Sequence, residues 1–160
     1  MPKDYLQELN LLIRSRYGLI GIDSLEEDRV RTLVRHLADQ LNLPLFFWSH
    51  SSGLQRDGES SSIYNTHRLP HALTHIRSSS LPAVNVLLSP GPDLEDPTTQ
   101  SLLKELADRF STQDGALLIV EAALTLSDGI KPHVGLFRLP PPRPDEFKRL
   151  LQHLVRDLRK

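Results

Sequence analysis

The sequence contains no cysteine, which removes disulfides, zinc–thiolate centres and thiol nucleophiles at once. It also lacks an excess of either charge. Nineteen Lys and Arg against twenty Asp and Glu leave a formal net charge of −1, whereas a dedicated nucleic-acid binder usually carries a marked basic excess. No apolar run approaches the ~18 residues that a membrane-crossing helix needs. The first ten residues, MPKDYLQELN, have no apolar core of the signal-peptide kind. A cytoplasmic protein with no membrane partner is therefore expected. What the chain does have is 39% hydrophobic and 24% charged residues, ordinary values for a globular protein. Its 160 residues suit a single domain, 1–160, with a sizeable core. Four of its twelve prolines fall within residues 140–144.

Apolar spacing sets out an alternating order of elements. Leu6, Leu9, Leu12 and Ile13 form one helical stripe over roughly residues 4–15. The run Leu19 to Ile22, ending at Asp23, reads as a buried strand. Val30, Leu33, Val34, Leu37 and Leu41 then mark a long helix that Asn42 and Pro44 close. Leu45 to Trp48 is a second strand, rich in aromatic residues. Residues 49–63 hold six serines and two glycines in fifteen positions, which predicts a mobile loop and no packed element. A short helix starts near Pro70. Ala83 to Leu88 and Ala116 to Val120 are the third and fourth strands, near-continuously apolar as strands covered on both faces are. Between them, Asp96-Pro97 combines an N-cap with a first-turn proline. A fifth strand spans Val134 to Leu139, and Phe147, Leu150, Leu151, Leu154 and Leu158 mark a last helix from about Pro144. Strands alternating with helices predict a three-layer α/β fold, with a mainly parallel sheet between helices on both faces.

An open α/β sheet binds ligands beyond the carboxyl ends of its strands, so the first strand-to-helix turn is where a phosphate loop belongs. Such a loop needs glycines that let backbone N–H groups approach phosphate, a lysine, and a hydroxyl for magnesium. Here the turn reads Gly21-Ile22-Asp23-Ser24-Leu25-Glu26-Glu27-Asp28, with neither lysine nor glycine cradle. Ser24 and Glu27 match the S-x-x-E capping box. The three consecutive acids also place negative charge where the helix dipole would otherwise attract an anion. The third strand ends Leu87-Leu88-Ser89-Pro90 without the acid a magnesium site would want.

Other constellations are incomplete. Asp93, Glu95 and Asp96 together could bind a hard cation, but a proline-rich turn leading into a capped helix is the simpler reading. His67, His71 and His75 recur every four residues; Pro70 separates the first from the others, and no glutamate completes a metalloprotease pattern. No G-x-S-x-G string is present for a serine hydrolase. Arg143, Lys148, Arg149, Arg156, Arg159 and Lys160 make the C-terminal segment basic, as a helix C-terminus favours. No catalytic, cofactor or metal residue is assigned, and nucleic acid is not an expected partner. The candidates for an alternative small-molecule or metal-binding enzyme at the strand ends are Asp23, Asp93, Glu95, Asp96 and Glu121.

The element order resembles the large α/β subdomain of AAA-type ATPases. The fifth strand running through Leu139-Pro140 into Arg143-Pro144-Asp145-Glu146-Phe147-Lys148-Arg149-Leu150-Leu151 looks like the junction before that family's helical lid. Glu8 to Tyr17, the following Leu19-Ile20-Gly21-Ile22, Glu26 to Val30 and Asp93-Leu94-Glu95-Asp96-Pro97 carry a more specific similarity. It is to the N-terminal, non-catalytic domain of a cyanobacterial and plastid AAA-type ATPase family, over residues 5–155. Ser89-Pro90-Gly91 departs from the acidic and aromatic residues that relatives tend to carry there. The resemblance implies a five-stranded parallel sheet in the order 5-1-4-3-2, with no working nucleotide site. A catalytic AAA module would ordinarily follow. This sequence stops before one, as a natural short relative or an excised domain would. ATPase activity is not expected from this chain alone. No cofactor is expected, and the partner would be a protein, either an AAA-type ATPase module or a second copy of the chain.

Overall fold

The computed structural model describes residues 3–139 and 144–159. The proline cluster at 140–143 lies outside the described residues, as do the side chains of Phe147 and Leu150. Along the chain run α1 (Lys3–Arg14), β1 (Leu19–Asp23), α2 (Glu27–Leu41), β2 (Leu45–Ser49), β3 (Gly53–Arg56), α3 (Leu69–Ser78), β4 (Val84–Leu88), α4 (Pro97–Thr112), β5 (Ala116–Glu121), β6 (Val134–Arg138) and α5 (Pro144–Arg159). Two short 3-10 turns, Gly91–Glu95 and Lys131–His133, precede α4 and β6.

One sheet joins the strands in the order β3-β2-β4-β5-β1-β6. All pairings are parallel except the β2–β3 hairpin. The expected order of five parallel strands is therefore present, with a sixth strand added at the far edge. Leu9 of α1 and Val30, Leu33, Val34 and Leu37 of α2 pack on one face of the sheet with Ile20, Ile22, Val86 and Leu118. On the other face, Leu69 and Leu73 of α3 and Leu103 and Leu106 of α4 pack with Trp48, Leu87 and Ile119. Leu126 and Ile130, from the connection after β5, join that second layer. Every residue of β4 is buried, which is why its sequence, apolar except for Asn85, shows a near-continuous run in place of alternation.

The extra strand corrects the expectation of a mobile loop at 49–63. Ser49 pairs with Gly53 and Trp48 with Leu54 across the hairpin. The serines are turn formers here: the Ser52 N–H donates to Ser49 Oγ at 3.2 Å, and the Ser49 and Ser52 hydroxyls lie 2.7 Å apart. Such hydroxyl-to-backbone bonds stabilise tight turns. The buried Leu54 then anchors the strand, its N–H donating to Thr66 Oγ1 at 2.9 Å. Arg35 of α2 ties down the far end by a two-pronged pair with Asp57, at 3.0 and 3.1 Å.

The caps divide between expectation and correction. Asp96 caps α4 as the sequence predicts, its Oδ2 accepting the Thr99 N–H at 3.0 Å, with Pro97 in the first turn. Asp96→Ala should cost about 1 kcal/mol, read as a lower urea midpoint with an unchanged slope. The Ser24–Glu27 capping box does not form. Glu26 occupies the N-cap of α2 without a side-chain bond, and Ser24 Oγ accepts the Glu26 N–H at 3.0 Å. Helix α2 begins at Glu27 with Glu26 as its N-cap, so Ser24 stands two residues too early to serve as the cap of that box.

Candidate functional site

Two concavities open at the carboxyl edge of the sheet. The first, about 390 Å³, is the crevice beyond β1, β5 and β6, lined by Asp23, Ser24, Leu25, Ala123, Arg138 and Leu139 among others. It occupies the place where a nucleotide-binding α/β fold would hold phosphate. Only Ser24, Leu25 and Glu26 separate β1 from α2. A phosphate-cradling loop needs several residues that curl back so that consecutive N–H groups face the ligand, and three residues do not provide that arc. Asp23 fills part of the crevice itself. Its Oδ1 accepts the Ala123 N–H at 3.0 Å, and Oδ2 lies 3.7 Å from the Arg138 guanidinium. Glu26 pairs with Arg29 and Glu27 with Arg31 along α2. Leu25 stands 87% exposed at the tip of the turn, an apolar residue where a phosphate site would present a polar one.

The second concavity is a groove of about 650 Å³ beyond β2 and β4, between the starts of α3 and α4. Its lining includes His50, His67, His71, Asp93, Asp96 and Thr99. His50 Nε2 lies 3.1 Å from Asp93 Oδ2, and the His50 ring meets the edge of Trp48 at 4.8 Å between centroids. Among the described residues no group of three or more His, Cys, Asp or Glu is arranged to hold a metal ion.

The five candidate acids are distributed over four settings. Asp23 belongs to the first crevice and Asp93 and Asp96 to the groove. Glu95 ends the 3-10 turn, exposed. Glu121 is the register partner of Asp23 across β1 and β5, yet its side chain turns the other way. Its Oε2 accepts the Gly91 N–H at 2.7 Å, tying the turn after β4 to the end of β5. His71 and His75 lie on α3, with His67 before it. His50 was not among the residues singled out from the sequence; its place beside Asp93 depends on a contact across forty-three positions that no local pattern signals.

A three-layer sandwich with this strand order is similar to the α/β domain of AAA-type ATPases. The crystal structure of the FIGL-1 AAA domain in complex with ADP aligns with 96% of this chain and 56% of its own, at a TM-score of 0.63 and 17% sequence identity; this likeness is one of fold. The family model of the SpoVK-like AAA ATPase N-terminal domain matches residues 5–139, and the chain belongs to that family. An uncharacterized AAA domain-containing protein ycf46 of Trieres chinensis is 25% identical over 154 residues, covering 94% of this chain and 31% of the relative. A protein of the same name from Pyropia yezoensis is 24% identical over 158 residues, covering 97% and 32%. The chain thus spans about a third of the length of these curated relatives. The resemblance drawn from the sequence holds, with a sixth strand added to the sheet it implied.

Proposed function

We propose that this domain is a non-catalytic protein-interaction or regulatory module related to AAA-type ATPases, with a degenerate phosphate loop. The observation that carries the reading is the β1–α2 turn. It is three residues long, and Asp23 spends its carboxylate on the Ala123 N–H. The acids Glu27 and Asp28 in the first turn of α2 oppose an incoming phosphate by like charge. A fold freed from holding a nucleotide is left with its surfaces, so the partner proposed is a protein, either an AAA-type module or a second copy. The compartment proposed is the cytoplasm. Among the described residues no helix is long and apolar enough to cross a membrane.

Calorimetric titration with ATP and magnesium tests the reading. No saturable heat is expected at micromolar nucleotide. Micromolar binding would refute the loss of the phosphate site.

A further inference from the structure

Asn85 is the one polar side chain of β4, and it is only 5% exposed. It stands in the middle of the sheet, paired with Phe46 of β2 on one side and Leu117 of β5 on the other, so its backbone belongs to the ladders. Alternation along the strand sends its carboxamide to the face that also receives Leu87, the face covered by α3 and α4. No hydrogen bond joins that carboxamide to another of the described residues, although a buried amide ordinarily has a partner. It lines instead a pocket of about 20 Å³ near the end of α3, away from the groove at the start of that helix. Phe46, Leu54, Ile76 and Phe110 wall the pocket, and Leu81, half-exposed, stands at its mouth. Arg109 also lines it but is committed elsewhere. Its Nη1 donates to the Ile76 and Arg77 carbonyls, its Nη2 to the Ser79 carbonyl and its Nε to Gln113 Oε1. No carboxylate lines the space.

We propose that this pocket receives the side-chain carboxamide of a glutamine presented by a partner protein. A carboxamide sets a donor and an acceptor side by side. A second carboxamide meets both at once, head to head through two N–H···O bonds. Size agrees with such a group. A space of about 10–15 Å³ already admits a water, so about 20 Å³ takes a planar head of three heavy atoms and excludes a ring system or a nucleotide. The remainder of the ligand must lie outside, as it does when a side chain projects from a protein surface. The two methylenes of glutamine suit the apolar walls between Asn85 and the mouth. A carboxylate of the same shape would be stripped of water with no free cation to receive it, because Arg109 is held by the end of α3. An apolar side chain of that length would leave the Asn85 carboxamide unpaired.

The inference rests on the reading of the domain as one that acts through protein contacts, and it gives the chemistry of one such contact. The test follows the Asn85 side-chain amide by nuclear magnetic resonance while the whole chain is titrated with N-acetyl-glutamine N-methylamide. Saturable shifts are expected at millimolar probe, at the Asn85 carboxamide and at the Leu81 N–H. The glutamate and methionine analogues carry the same backbone and a side chain of similar length without the carboxamide; each should bind at least about tenfold more weakly. Asn85→Leu should abolish the preference for the glutamine probe. The comparison of three probes on the unaltered chain stands whether or not that variant folds. An equal response to the three probes, a glutamine preference that survives Asn85→Leu, or a resident water at Asn85 that saturating probe does not displace overturns the proposal. The ATP titration concerns the β1–α2 turn, which shares no residue with this pocket. Nucleotide binding with the glutamine preference intact would refute only the loss of the phosphate site, and a flat response to the probes without nucleotide heat would refute only the pocket.

Discussion

Trp48→Ala is expected to lower folding stability by about 3–5 kcal/mol, a large share of the roughly 5–15 kcal/mol that keeps a domain folded. Trp48 lies on β2 and is fully buried, in the layer that includes Leu54, Leu69, Leu73 and Leu87. Its indole N–H donates to the Thr66 carbonyl at 2.8 Å. Thr66 in turn accepts the Leu54 N–H and donates its hydroxyl to the Ile63 carbonyl at 2.7 Å. The indole therefore does two things at once: it fills the space beneath α3, and it fixes the return of the chain from β3. Removing it opens a cavity and leaves a buried carbonyl without its donor. Trp48→Phe retains most of the packing and isolates the second effect, at about 1–3 kcal/mol. Trp48 is the sole tryptophan, so urea unfolding is followed by far-ultraviolet circular dichroism. A loss below 1 kcal/mol in the alanine variant would contradict this account of the core. The same variant should be cut faster by protease between residues 57 and 65, because the anchor of that segment has gone.

Gly18→Ala is expected to cost about 3 kcal/mol or more, beyond the usual range for one added methyl group. A Cβ at Gly18 would lie 2.0 Å from the Ala107 carbonyl oxygen and 2.5 Å from its Cα. Both belong to the backbone of α4, so no side chain can swing aside. Either α4 or the start of β1 must move, and both are held in the sheet–helix layer through Leu19, Leu103, Leu106 and Phe110. Gly129→Ala is the control. Its Cβ would approach the end of the Lys104 side chain at 3.1 Å, a flexible group that can turn away, and the change should stay within about 0.5 kcal/mol. Equal midpoints for the two variants would show that the close approach of α4 to residue 18 carries no energetic weight.

The legible parts of this protein were those written at short range. The apolar runs of β4 and β5 announce burial on both faces, and Asp96-Pro97 announces the start of α4 through a bond that spans three residues. The site was legible chiefly by what the β1–α2 turn lacks, a lysine and a glycine cradle. Its positive features were hidden. Composition alone makes residues 49–63 look unstructured, yet β3 forms there because Leu54 finds a place under α3 and Thr66 supplies the hydrogen bonds. Ser24 has the right spacing for a capping box and still bonds elsewhere, since α2 starts at Glu27 and leaves Ser24 two residues before the N-cap.

Near-balanced charge and the absence of cysteine and of long apolar runs narrowed the class of protein, and periodicity established the order and type of its principal elements. Hydrophobic pattern carries that information because it repeats within a few residues. Partner choice came only with the tertiary structure. Asp23 with Ala123, Glu121 with Gly91 and His50 with Asp93 are separated by 100, 30 and 43 positions. A carboxylate in a sequence is a charge with no direction. The fold aims it, and here it turns Asp23 to the Ala123 N–H and Glu121 to the Gly91 N–H.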